Sequence, residues 1–330
     1  MRFLLNWFST LIKLFRLNKR IMVNNIKSRI LFLFSLITTL LFSSFVIGAV
    51  EPSLESVTER QLSLDNLVIA LKPDKNPDKM LEEKKALENY FSARLGCPVD
   101  VIIPLSTAVI IQGMANGTID LAYLSSTGAV SAIERDIADP FLAGEIDGKT
   151  YYFSYWVGLK TAPYEGVEAL KGKPVAFASR TSTSGFLIPM WDLYQKDYLT
   201  VGEGPEHFFG AENVYYGVGY VSAIERVLSG EAEAAAVSYY VLDKGRHLSP
   251  EQRAQLKKIA SQGPVPTHMI AVRRSLDRQD KTLLKGMLLS LNQEDPELRD
   301  KVFNSKLVEV NPEEHLRVTR EALEFVSEIE

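Results

Sequence analysis

From Leu64 onward, short apolar runs alternate with amphipathic stretches, and this alternation constrains the fold more than any other property of the chain. Residues 67–71 are continuously apolar and close on Lys72-Pro73, the pattern of a buried strand. Leu81, Leu87, Tyr90, Phe91 and Leu95 then share one helical face, with Glu82, Glu83, Lys84, Lys85 and Glu88 elsewhere, and Gly96 and Pro98 stop the helix. A second strand is expected over 99–103. A helix capped by Ser106-Thr107 follows over 108–114, then a third strand over 119–124 and a helix over 129–134. Repeated β-α units predict a mainly parallel sheet with helices on both faces, and ligands at the carboxyl ends of its strands.

The pattern then restarts. An aromatic strand is expected over 151–159, and Lys160-Thr161-Ala162-Pro163 reads as a crossing into a second α/β set. That set has strands at 174–178 and 213–216, helices at 186–194 and 221–228, and an apolar stretch at 232–237. Gln262-Gly263-Pro264-Val265-Pro266 reads as the return crossing, with a strand at 269–272 and helices at 278–291, 296–304 and 312–326 behind it. The expected organisation is therefore two α/β lobes. Residues 50–160 and 263–330 form the first and 161–262 the second, while 1–49 stand apart.

Residues 30–47 form an uncharged, mainly apolar run, with Lys27 and Arg29 before them and Gly48-Ala49 after. Charged start, apolar middle and small-residue exit describe a secretory signal. An uncleaved membrane anchor is the competing reading, because the run is long enough to span. Met22 offers a second, more ordinary start for such a segment. Either way the body of the chain is expected outside the cytoplasm. Cys97 is the only cysteine, so no internal disulfide can form, and it does not follow the apolar run as a lipid anchor requires. Lys+Arg 37 against Asp+Glu 41 gives a net charge of −4, which supplies no electrostatic case for nucleic acid.

Two strand-to-helix junctions carry unusual hydroxyl density: Ser182-Thr183-Ser184-Gly185 and Ser125-Ser126-Thr127-Gly128. A helix start presents unpaired N–H groups and the positive end of the macrodipole, and hydroxyls add neutral donors. Gly185 is expected to let a ligand approach the backbone. Such sequences also serve as plain helix caps.

Taken with Ile111-Gln112-Gly113-Met114, the run 119–123, Tyr152-Phe153-Ser154, Pro189 and Arg273-Arg274-Ser275-Leu276, the Ser-Thr-Ser-Gly run resembles the periplasmic substrate-binding proteins of phosphonate, phosphite and phosphate ABC transporters, over roughly residues 64–291. The order of these motifs along the chain carries the likeness. It implies a type II periplasmic-binding-protein clamshell with a small phosphorus oxyanion in its cleft and an ABC permease as partner. It also implies that Ser182, Thr183 and Ser184 grip the anion, with Tyr152, Ser126 and Thr127 completing the shell from the opposite lobe. Where the family carries a histidine beneath the phosphonate, this chain has Tyr220. Where aminophosphonate binders place carboxylates, it has Tyr240 and His268, so an amine-bearing ligand is not expected.

Tyr123 joins the candidate list as a cleft tyrosine, and Lys160 and Arg180 are cations expected near the cleft. No cofactor is expected. The four histidines show no i, i+4 pairing, which argues against a metal site. Ser182 and Ser184 lack a neighbouring histidine and a Gly-x-Ser-x-Gly frame, which argues against a hydrolase. A sensory module using the same cleft remains an alternative to transport, and a monomer is expected.

Overall fold

Uncharged runs of Val, Ile, Leu, Ala and Phe become buried inner strands of two sheets in the computed structural model, which describes residues 62–72 and 80–329. The expected signal or anchor segment lies outside the described residues. In the first, six-stranded sheet, β1 (Leu67–Ala70) runs parallel to β2 (Val99–Ile102) and β3 (Leu121–Leu124). Beyond β3 lie β10 (Met269–Arg273), β4 (Ala138–Glu145) and β11 (Lys306–Glu309), each antiparallel to its neighbour. In the second, five-stranded sheet, β6 (Val175–Phe177) runs parallel to β7 (Val214–Tyr216) and β8 (Ala234–Ser238). The antiparallel strands β5 (Tyr151–Leu159) and β9 (Leu256–Pro266) complete it. Each sheet thus has a three-stranded parallel part, where the β-α units lie, and an antiparallel flank.

The crossings differ from expectation. β5 is hydrogen-bonded along its length to β9 and β8, so it belongs to the second sheet, and the chain changes sheets over 146–150 rather than at Lys160–Pro163. The Gly-Pro-rich stretch 262–266 is likewise part of β9, and the return is the short step at Thr267 and His268. The two crossings are tied together. Thr267 donates its N–H to the Thr150 carbonyl at 3.0 Å, and the Gly144 N–H donates to the His268 carbonyl at 3.0 Å. Thr267 Oγ1 lies 2.6 Å from the Gly144 carbonyl and 2.9 Å from that of Thr150.

Helices flank both sheets. The first lobe carries α1 (Leu81–Leu95), α2 (Thr107–Asn116), α3 (Ser126–Glu134), α9 (Arg278–Glu294) and α10 (Pro296–Phe303). The second carries α4 (Ile188–Gln195), α5 (Pro205–Phe209), α6 (Tyr220–Leu228), α7 (Tyr239–Asp243) and α8 (Pro250–Gln255). None of the helices among the described residues is long and apolar enough to cross a membrane. The last helix, α11 (Pro312–Ser327), belongs to both lobes rather than to the first alone. Leu316 is buried in the first-lobe cluster around Ala129, Val130 and Met269. Phe325, about two and a half turns on, is buried in the second-lobe cluster of Phe177, Phe186 and Phe209.

Candidate binding site

The two hydroxyl-rich junctions fold alike. Ser125 follows β3 in extended conformation, and its Oγ accepts from the Gly128 N–H at 3.2 Å. Ser182 lies beyond β6 in the same conformation, and its Oγ accepts from the Gly185 N–H at 3.0 Å. Each junction is therefore an N-capped Ser-x-x-Gly turn at the carboxyl end of a parallel strand. The second opens with a wide π-type turn over Thr183–Leu187 before α4 begins, so Ile188 donates to the Thr183 carbonyl. Both glycines serve the turn itself. A Cβ on Gly185 would lie 2.4 Å from Ala178 Cβ, and one on Gly128 would lie 2.8 Å from Thr107 Cγ2. On the side where a Cβ would lie, Gly185 is packed against Ala178 and Ser182, so the glycine is required by the turn.

The turns come from different sheets and meet. Thr127 Oγ1 and Thr183 Oγ1 are in hydrogen-bond contact. Next to them, Ser184 Oγ is 2.7 Å from Tyr220 Oη and accepts from Tyr152 Oη at 3.4 Å. Ser154 supports the turn from β5. Its Oγ donates to the Ser184 carbonyl at 2.5 Å and accepts from Gln262 Nε2 at 2.9 Å. Ser154 and Gln262 are buried, so this polar set is fixed by packing. Burial, above all, raises the phenol pKa of Tyr152, Tyr220 and Tyr240. All three remain protonated at neutral pH and act as neutral donors.

A cavity of about 80 Å³ adjoins this set, with Tyr152 and Tyr240 in its wall. Tyr123 and His268 line it as a tilted ring pair with centroids 5.2 Å apart, and Tyr123 Oη donates to the Phe303 carbonyl at 3.0 Å. The Tyr240 ring packs edge-on against Tyr220 at 5.7 Å. Among the described residues, Lys72 and Arg246 are the Lys and Arg side chains of the lining, and none of the described lining residues is Asp or Glu. Burial, and then the charges of Lys72 and Arg246, push the His268 pKa well below its ordinary value, so its imidazole is neutral. The site is thus a set of neutral hydroxyls at two helix starts, with a cation-bearing aromatic cavity beside it.

The sequence matches the family described as "ABC transporter, phosphonate, periplasmic substrate-binding protein" over residues 69–314. The chain belongs to this family. It is 26% identical over 193 residues to the phosphonates-binding periplasmic protein of Escherichia coli K12, a match covering 57% of this chain and 55% of that relative. It is 25% identical over 234 residues to the phosphate-import protein PhnD of Mycolicibacterium smegmatis, covering 68% of this chain and 71% of the relative. Among solved structures, PhnD1 of Prochlorococcus marinus in complex with methylphosphonate superposes with a TM-score of 0.66 at 19% identity, covering 80% of this chain and 99% of that one. The fold is accordingly that of a type II periplasmic binding protein.

Seen as a member of this phosphonate-binding family, the chain brings most of its candidate residues together. Thr127 meets Thr183, Tyr152 and Tyr220 meet Ser184, and Ser182 caps the same turn, so these six residues gather at one place, while Tyr240, Tyr123 and His268 line the adjoining cavity. Ser126 is set apart: its Oγ is buried in the first turn of α3 and makes no hydrogen bond. Lys160 and Arg180 are exposed, and Arg180 stacks its guanidinium over Tyr216 at 4.0 Å. Lys72 and Arg246 were not expected at the site and do line the cavity, as does Tyr239. Arg246 sits in the turn after α7, a helix without a clear sequence signal. Lys72 had been read only as the end of a strand.

Proposed function

We propose that this protein is the extracytoplasmic component that captures a small phosphorus oxyanion between its two lobes and delivers it to an ABC permease. One observation carries the reading: two N-capped Ser-x-x-Gly turns from separate sheets converge at Thr127 and Thr183, beside a Ser184 hydroxyl held by Tyr152 and Tyr220. Family membership and the likeness to a methylphosphonate-bound structure support the same ligand class. Ser182, Thr183 and Ser184 donate to the anion from the second lobe and Thr127 from the first, with tyrosine hydroxyls filling the remaining directions. Capture proceeds by closure of the lobes about the paired crossings at 146–150 and 267–268. Residues 1–49 direct the chain out of the cytoplasm, and the protein works as a monomer. Each hydrogen bond to a charged ligand contributes about 1.5–3 kcal/mol, which makes micromolar or tighter binding attainable after association costs.

A thermal-shift series with phosphate, phosphite, methylphosphonate, aminoethylphosphonate and sulfate tests this. A ligand at a hundred times its Kd stabilises by about 2.7 kcal/mol, so at least one phosphorus anion should raise Tm clearly while sulfate does not. An unchanged Tm with every phosphorus anion, or an equal response to sulfate, would overturn it.

A further inference from the structure

Ser154 and Pro189 belong to the sequence pattern around the Ser-Thr-Ser-Gly run, and both bear on one buried carbonyl, that of Ser184. The wide turn over Thr183–Leu187 pairs a carbonyl with the N–H five residues on, as Ile188 does with Thr183. The same spacing would give the Ser184 carbonyl the N–H of residue 189, but Pro189 has none. A buried acceptor without a donor is destabilising. Ser154 Oγ supplies the missing proton from β5 at 2.5 Å. The Ser184–Gly185 peptide is thereby held at both ends, because the Gly185 N–H donates to Ser182 Oγ at 3.0 Å. A peptide unit is planar, so fixing its N–H and its C=O fixes the plane and restricts the adjoining Cα of Ser184. That Cα carries the hydroxyl that Tyr152 and Tyr220 reach.

Ser154 is itself aimed. It stands opposite Ser238 of β8 and Gln262 of β9, so the three form one row across the sheet, on one face. The next row on that face, Ala236, Trp156 and Ala260, packs in the second-lobe core. Gln262 Nε2 donates to Ser154 Oγ at 2.9 Å, which leaves the Ser154 proton for a carbonyl. The Ser184 carbonyl at 2.5 Å is closer than that of Val237 at 3.3 Å. Stability alone does not account for this polar row, since Gln262 Oε1 and Ser238 Oγ are buried with no partner among the described residues.

We propose that Ser154, aimed by Gln262, is a positioning residue for anion capture: it replaces the amide hydrogen that Pro189 lacks and so holds the Ser184 hydroxyl in the direction the ligand needs. That role rests on the oxyanion reading of the cleft, with Ser154 acting through Ser184.

Calorimetric titration of the full chain, at a temperature where each variant is folded, tests this with whichever of phosphate, phosphite and methylphosphonate the unaltered protein binds most tightly. Ser154→Ala should weaken binding about tenfold, the scale of one misdirected hydrogen bond to an anion. Ser154→Thr, which keeps the hydroxyl, should restore most of the loss. In a Ser184→Ala background, Ser154→Ala should cost about threefold or less, because the hydroxyl it positions is already gone. Gln262→Met should weaken binding about threefold without lowering Tm, since it also removes an unpaired buried acceptor. It decides the matter if Ser154→Ala does not fold. Ser238→Ala, in the same row but without a hydrogen bond, should leave affinity within about twofold. A Ser154 that served only the packing would lower Tm and leave Kd unchanged in the folded variants. That result, a loss that multiplies fully with that of Ser184→Ala, or a loss equalled by Ser238→Ala would overturn the proposal and leave the oxyanion reading in place. Failure of the unaltered protein to bind any of the three anions would overturn both.

Discussion

Ser184 is the residue on which the proposed site turns, because its hydroxyl is the point where Tyr152 and Tyr220 converge. Ser184→Ala removes that hydroxyl but leaves the N–H groups of the turn and the Ser182 cap in place. The lost bond to a charged ligand is worth about 1.5–3 kcal/mol, so methylphosphonate affinity should fall at least tenfold in calorimetry; an unchanged Kd would remove this turn from the site. The histidines make a separate, pH-dependent prediction. Burial, with Lys72 and Arg246, lowers the pKa of His268, and burial lowers that of His315, whose Nε2–H donates to the Thr267 carbonyl at 3.0 Å. In the unfolded chain both would charge as pH drops through about 6.5. The unfolded state then binds more protons, so stability falls as pH decreases below that value and is unaffected by these groups above pH 7. Each contributes a slope of up to about 1.36 kcal/mol per pH unit. His268→Gln should therefore flatten the decline of Tm between about pH 6.5 and 5 measured by calorimetry; an unaltered slope would contradict the assignment.

The two Ser-x-x-Gly turns are legible as elements because their signals are local: a cap, a glycine three residues on, and an apolar strand before. The parallel strands were legible for the same reason, being short uncharged runs such as Val175–Phe177. Of the antiparallel flanks, β5 and β10 were legible as strands at 151–159 and 269–272, whereas β4 and β9 were not. In β4, Pro140 and Asp139 imitate a turn, yet Phe141 is an extra residue between the pairs Ile270–Leu142 and Ala271–Pro140, so the proline sits at a bulge where its missing N–H is tolerated. In β9, Gly263 and Pro264 fall between the pairs Tyr152–Val265 and Ser154–Gln262, which made a strand look like a crossing and moved the expected lobe boundary. Lys72 and Arg246 escaped notice because only the tertiary fold brings a strand end and a late turn to one cavity. The glycines give a prediction at this scale. A Cβ at Gly185 would meet Ala178 Cβ at 2.4 Å and Ser182 Oγ at 2.8 Å, both close to fixed backbone, whereas at Gly128 the close atom is the Thr107 methyl at 2.8 Å, which can rotate. Gly185→Ala should cost about 1–3 kcal/mol and weaken ligand binding. Gly128→Ala should cost less, as read from urea midpoints at constant m.

At the scale of the whole molecule, α11 fixes how the two turns face one another. It packs against α3, which begins at the first turn, and against the π-type turn and α4, which begin at the second. Its Leu316 is buried in the first lobe. Its Phe325 stacks on Tyr194 in the second lobe at a centroid distance of 4.5 Å and lies 6.2 Å from Trp191. Val318, Ala322 and Leu323 between them, and Val326 beyond, cover Tyr152, Leu187, Ile188 and Val265. The tyrosine that reaches Ser184 is thus backed by the same helix that spans both cores. Truncating either anchor leaves a cavity costing about 2–5 kcal/mol for Leu316→Ala and about 3–5 kcal/mol for Phe325→Ala. Because one rigid element carries both anchors, the loss should not stay in the lobe where it is made. Native-state hydrogen exchange of the Phe325→Ala protein should show reduced protection in α3, in the opposite lobe, as well as in α4. Methylphosphonate affinity should fall with it, although no ligand-facing residue has changed. Protection lost only in the second lobe, with affinity intact, would mean that the lobes are held in register by the crossings at 146–150 and 267–268 and not by this helix.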